Sequence, residues 1–117
     1  MKEYLLLFRN ASGANGYLAT NEEMAKDMPQ WQAWIGNIAM QGKLVHTASI
    51  EYASSLVSSE GLQAGPHKEA NSILISGFLI CKADSLGEVE EWSSSCPVLK
   101  YPSSSVEIRP LIPFPTN

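Results

Sequence analysis

The sequence is poor in the residues that build metal centres, nucleic-acid faces and membrane spans. It holds two cysteines and two histidines in 117 residues. Cys81 and Cys96 lack the close Cys or His spacing of a zinc site, and two cysteines make no disulfide framework, so both read as structural thiols. His46 and His67 are far apart, with no third ligand at helical or hairpin spacing; no metal and no cofactor is expected. Basic residues are also few. Eight Lys and Arg stand against twelve Asp and Glu, for a net charge of -4, and they are scattered. Nucleic-acid binding needs a clustered cationic face to release counterions, so no nucleic-acid partner is expected.

Long apolar runs are missing as well. Ile73 to Cys81, the longest, has two small breaks and falls far short of the roughly 20 residues of a membrane span. Without a basic amphipathic stretch, binding to a membrane surface is not expected either. Met1-Lys2-Glu3 leads directly into Tyr4-Leu5-Leu6-Leu7-Phe8 and Arg9, which is strand-length and lacks the apolar core and cleavage site of a signal peptide. The expected location is the cytoplasm. No Ser-His-Asp, Walker or dinucleotide motif occurs.

What is present suits an ordinary globular chain: 44% hydrophobic, 17% charged and 9% aromatic residues, with length for one core and not two. A single domain over 1–117 is expected. Tyr4 to Arg9 reads as a strand, and the Gly- and Asn-rich stretch 10–16 as a loop. Thr20 and Glu23 have capping-box spacing, opening a helix to about Gln41 that Gly42 stops. Its large apolar residues, Met28, Trp31, Ile35 and Ile38, recur in steps of three and four, and because that register survives Pro29 a kink rather than a split is expected there.

Lys43 to Ile50 and Leu56 to Ser59 read as short strands, followed by a turn region from Gly61 to Pro66. Ser72 to Ala83 is the strongest strand candidate. Ser85 and Glu88 repeat the capping-box spacing, starting a helix with Leu86, Val89 and Trp92 inward and an end near Cys96-Pro97. A last strand, Ser104 to Leu111, leads into a proline-rich tail.

This order suits an α+β fold: an antiparallel sheet with both helices on one face. Two helices cover only one side. Yet Leu5 and Leu7 oppose Leu6 and Phe8, and strand 72–83 is apolar on both faces, so the second face needs a cover. A second copy of the chain is the simplest cover, giving a homodimer.

Trp31 to Leu44, Gly65-Pro66, Gly77-Phe78, Ala83-Asp84-Ser85-Leu86, Cys96-Pro97 and Ser105-Val106-Glu107-Ile108-Arg109-Pro110 follow one another in an order that resembles the YCII-related proteins, in the branch known for an Asp-Gly-Pro-Phe segment. The resemblance runs from Tyr4 to Leu111. It implies a ferredoxin-like sheet whose two copies press together as a dimeric α+β barrel. The wider superfamily includes isomerases, lyase-type and dehalogenating enzymes and haem proteins, so the fold does not select an activity. At the branch's motif this chain reads Ala64-Gly65-Pro66-His67-Lys68-Glu69-Ala70-Asn71-Ser72: the leading acid is replaced, and Gly, Pro and the first Glu are kept. The His-Asp pair proposed as catalytic in other YCII-like proteins has no clear counterpart near the N-terminus.

Candidate site residues are therefore few. Histidine is the side chain suited to general acid–base work near neutral pH, and His67 has Glu69 two residues on to orient it, as a catalytic pair or, more simply, a solvated loop. His46, in phase with Leu44 and Ala48, reads first as a hydrogen-bonded core histidine and second as a ligand-binding group. Glu107 and Arg109 share one face of the last strand, where Arg109 forks onto a ligand carboxylate or, more simply, belongs to a cross-strand ion pair; Arg9 is a similar candidate. Trp31, Trp34 and Trp92 read as packing residues. The expected function is a dimeric small-molecule-binding module without retained chemistry, the alternative being a lyase- or isomerase-type enzyme for a small anionic substrate.

Overall fold

The computed structural model describes residues 1–14 and 16–115. Six strands and two α-helices follow in the order β1 (Lys2–Ala11), α1 (Asn21–Met40), β2 (Leu44–Ser49), β3 (Ser55–Ser58), β4 (Gly61–Ala64), β5 (Ile73–Ala83), α2 (Leu86–Ser93) and β6 (Ser105–Pro110), with 3-10 turns at Ala70–Ser72 and Pro97–Lys100. The main sheet is antiparallel with strand order β2-β5-β1-β6, the ferredoxin-like arrangement, while β3 and β4 form a separate hairpin.

Sequence alternation sets the sheet's two faces. Tyr4, Leu6 and Phe8 of β1 and Leu79, Cys81 and Ala83 of β5 are buried with Trp34 and Ile38 of α1, Val89 of α2, Cys96 and Val98. Both helices therefore pack on one face. Leu6 is paired with Leu79, and the intervening Leu5↔Ile80 and Leu7↔Phe78 pairs point to the other side, where no helix lies. Burying about 0.8 kcal/mol per methylene makes the first layer the main source of stability. Leu79→Ala removes a fully buried side chain and is expected to cost about 3 kcal/mol in urea unfolding, with m unchanged.

The hydroxyl half of each capping box forms as read from the sequence: the Thr20 hydroxyl accepts from the Glu23 amide at 3.1 Å, and the Ser85 hydroxyl from the Glu88 amide at 3.2 Å, while Glu88 accepts from the Asp84 amide at 3.1 Å instead of from Ser85. Gly42, just past α1, takes φ 72°, a left-handed conformation that suits glycine. Pro29 lies inside α1, which runs from Asn21 to Met40 without a split; Pro29 and Ala25 are exposed, so the carbonyl deprived of its donor can face water. Two expectations need correction. Gly61 to Ala64, read as turn, is strand β4, because the reversal is confined to Ser59-Glu60 and Ser58 already pairs with Gly61. Leu86 is exposed rather than inward; the short α2 buries Val89.

The apolar stripe of α1 also behaves differently from expectation. Trp34 and Ile38 reach the core, Trp31 and Ile35 are half-buried, and Met24 and Met28 are 41% and 48% exposed. The reason is spatial: the N-terminal half of the helix stands over a cavity instead of over packed sheet residues.

Candidate functional site

Two concave regions flank the sheet, one on each face. On the open face, Leu5, Leu7, Ile75 and Phe78 floor a hollow of about 440 Å³, and Ile50, Pro66, His67 and Glu69 close its side. The segment carrying His67 and Glu69 is held by backbone bonds from Gly65 to the Ser54 carbonyl at 2.8 Å and from Glu69 to the Ile73 carbonyl at 2.6 Å. It then turns through Asn71 and Ser72 with φ near 61° and 59°. This geometry aims Glu69 at β1.

Glu69 consequently meets Arg9 and not His67. Arg9 Nε donates to Glu69 Oε1 at 2.8 Å, and Arg9 Nη1 lies 2.8 Å from Glu107 Oε1. The hydrogen bond to Glu69 is the main reason the Arg9 guanidinium is held above its ordinary pKa, with Glu107 adding to it. Arg109 Nη1 sits 3.5 Å from Glu107 Oε2, with its side chain 64% exposed. Arg9, Glu69, Glu107 and Arg109 thus form a charge-balanced row, in which the cross-strand ion pair anticipated for β6 is made by Glu107 to Arg9.

His67 lines the hollow, and among the described residues none hydrogen-bonds to it. His46 is exposed and packs its ring on Phe78 with centroids 5.5 Å apart. It is neither in phase with Leu44 nor in the core. A bulge at Val45 breaks the alternation: Leu44 pairs with Cys81 on the helix face, whereas His46 pairs with Ile80 on the open face, as Ala48 does with Phe78. Phe78 packs against His46 and lines the hollow that His67 also lines, but no group of three His, Cys, Asp or Glu among the described residues is placed to hold a metal.

The larger cavity, about 600 Å³, lies on the helix side between the first half of α1 and the sheet. Its walls are mainly apolar and aromatic: Phe8, Leu18, Met24, Met28, Trp31, Ile35 and Val98. Phe8 and Trp31 meet edge-to-face at 5.1 Å. Several of the polar groups inside are already bonded. Ser76 donates to the Asn10 side-chain oxygen, and Thr47 donates to the Phe78 carbonyl at 2.8 Å. Tyr17 bonds the Ile50 carbonyl.

Among the described residues, Asp27 is the one charged residue lining the cavity. Its side chain is 6% exposed, and its carboxylate accepts from Lys100 Nζ at 2.5 Å and from the Tyr101 hydroxyl. The hydrogen bond from Lys100, then that from Tyr101, holds the Asp27 carboxyl below its ordinary range; the same contact pushes the Tyr101 phenol up to about 12. This triad was not among the residues singled out from sequence. The only signal was an acid beside Met28 on an otherwise apolar stripe.

Gly77 explains how β2 and β5 approach beside this cavity. A Cβ there would stand 3.1 Å from the Ala48 carbonyl oxygen and 3.3 Å from a Phe8 ring carbon. Gly77→Val is accordingly expected to lower stability by about 1 to 3 kcal/mol through overpacking, measurable by thermal melting. Cys81 and Cys96 are buried at 0% and 3% exposure, and burial pushes their thiols up to about 11 and about 12. Neither is expected to be alkylated by iodoacetamide in the folded protein at pH 8, as read by intact mass.

A four-stranded antiparallel ferredoxin-like sheet, with two helices on one face and an apolar opposite face, defines an α+β class with many unrelated activities. Within that class the family is specific: residues 4–115 match the YCII-related domain, and the chain belongs to that family. No curated protein matches the sequence. No helix is long and apolar enough to cross a membrane among the described residues.

Proposed function

We propose that the chain acts in the cytoplasm as a homodimer whose open sheet faces pack together, each copy binding a small, neutral, mainly apolar molecule in the helix-side cavity without transforming it. The observation that carries the binding reading is the cavity itself: about 600 Å³ between α1 and the sheet, within the usual range for small-ligand sites. Neutrality of the ligand is supported by Asp27, the only charged wall residue among the described residues, being matched by Lys100.

Chemistry is not retained in this reading because the groups it would need are already committed. His67 would need Glu69 as an orienting partner, and Glu69 is occupied by Arg9. An anionic substrate on Arg9 would have to displace two carboxylates. The dimer reading rests on the uncovered apolar row of Leu5, Leu7, Ile75, Phe78 and Ile80, which a self-complementary face buries twice.

A thermal-shift screen of neutral apolar compounds tests the ligand reading. Ligands are expected to raise the wild-type melting temperature by about 3 °C or more at saturating concentration. Ile35→Trp, which puts a larger ring into the cavity, is expected to abolish that response. Turnover of any hit, lost in His67→Ala, would replace the binding reading with the isomerase or lyase alternative.

A further inference from the structure

Two segments of this chain expose large apolar side chains among the described residues. The β3–β4 hairpin presents Val57 and Leu62 at 77% and 73% exposure, directly paired across the ladder and so on one face. Apart from each other, β3 and β4 pack extensively on no other element. A lone two-stranded hairpin is marginally stable in water, so an ordered one calls for a surface to lie against. The second segment is the tail after β6, where Ile112 and Phe114 are 81% and 91% exposed between prolines.

Topology puts these segments at diagonally opposite corners of the sheet. The hairpin leaves from edge strand β2 just beyond Ser49↔Gly77, at the end of the sheet where Phe8 pairs with the same glycine. The tail leaves from the other edge strand, β6, just beyond Tyr4↔Pro110 and held by Leu111 to the Glu3 carbonyl at 2.9 Å. Ile50 and Pro66, at the two feet of the hairpin, line the hollow on the open face, so the arm is continuous with the apolar surface proposed as the dimer face.

A twofold axis lying in the plane between two such faces, along the other diagonal, exchanges these corners. It sets the strands of the two sheets at about 90°, one of the two standard ways in which sheets stack. From this juxtaposition we propose that the β3–β4 arm of each copy clasps the proline-rich tail of a second copy, Val57 and Leu62 covering Ile112 and Phe114. The inference rests on the dimer reading above and adds to it the partner of each exposed segment. One symmetric pairing then covers four apolar segments, two from each copy, because in an isologous dimer a contact of arm with tail is made twice. The overall extents of 46 × 39 × 19 Å describe a flat body with broad faces.

The test is a full-length Val57→Cys/Phe114→Cys double variant, oxidised and run on a non-reducing gel, with the oligomer of wild type and variant measured by sedimentation. The native thiols are buried and stay out of the reaction. A covalent dimer from the double variant, with little from either single variant, is the expected result. If the protein sediments as a dimer and the double variant does not cross-link, arm-to-tail contact is overturned while the face-to-face dimer stands. Cross-linking by Val57→Cys alone, to the same extent, would put arm against arm and overturn the proposal equally. A wild type that sediments as a monomer would remove the dimer reading and this inference with it.

Discussion

Leu7→Asp should turn the protein into a folded monomer. Leu7 lies on the helix-free face between Phe78 of β5 and Glu107 of β6, so a carboxylate there reaches water in the isolated chain but would be trapped, unpaired, between two sheets in the proposed dimer. The charge occurs twice in a symmetric interface, once from each copy, and two like charges meet an apolar surface. An increase of about 100-fold or more in the dimer dissociation constant is expected, which corresponds to about 2.7 kcal/mol or more. Sedimentation velocity over a concentration series reads it directly. The far-ultraviolet spectrum should be unchanged, because the core residues Leu6 and Phe8 on either side are untouched. Leu6→Asp is the contrasting variant: the same charge one residue earlier enters the fully buried layer and should prevent folding. A wild type with the same sedimentation coefficient as Leu7→Asp at every concentration would sink the dimer reading.

That one-residue contrast was legible in the sequence, since strict alternation over Tyr4 to Phe8 assigns faces without any tertiary information. Helix starts were legible for a related reason: a hydroxyl three residues before its amide partner is a local arrangement, and both Thr20 and Ser85 make the bond. Phase was lost where the chain inserts a residue. The bulge at Val45 moved His46 off the face that Leu44 occupies, and the shift between Phe8 and Arg9, opposite Ser76, separates Gly77 from Ile75 in the pairing. Nothing in the local pattern marks either bulge, because each is imposed by a neighbouring strand.

The charged groups of the site were less legible for the same reason. Arg9 and Glu69 are 60 positions apart in sequence and meet only because a turn through two positive-φ residues aims Glu69 at β1. The pairing of His67 with Glu69 looked natural at a spacing of two, but the long-range ion pair is the one formed. The helix-side cavity was hidden entirely: Met24, Met28, Trp31 and Ile35 have the spacing of a packed helix face, and spacing does not distinguish a face that meets side chains from one that meets empty volume.

The triad on the cavity wall predicts an asymmetric response to mutation. Lys100→Met leaves the Asp27 carboxylate screened from water, with Tyr101 as its remaining donor, whereas Asp27→Asn leaves an amide oxygen that still accepts from Tyr101 and a half-exposed Lys100 that returns to solvent. Because Asp27 is covered chiefly by its own partners and lies near the surface, the full penalty of a deeply buried charge does not apply. Lys100→Met should cost about 2 kcal/mol at pH 7 and Asp27→Asn about half of that. Since the native fold depresses the Asp27 pKa below its ordinary value, the triad's contribution is fully present above the unfolded-state pKa of about 4 and is lost as pH falls through the lower folded value. Urea unfolding of wild type between pH 7 and pH 2.5 should therefore show an acid-side loss that Asp27→Asn lacks. An Asp27→Asn profile parallel to wild type across that window would mean that other carboxylates control acid stability, and Lys100→Met as mild as Asp27→Asn would mean that Asp27 finds water when its cation is removed. If the larger penalty is seen, the wall of the helix-side cavity is held by an ionised pair, and a cationic compound competing for Asp27 should bind more weakly than its neutral isostere.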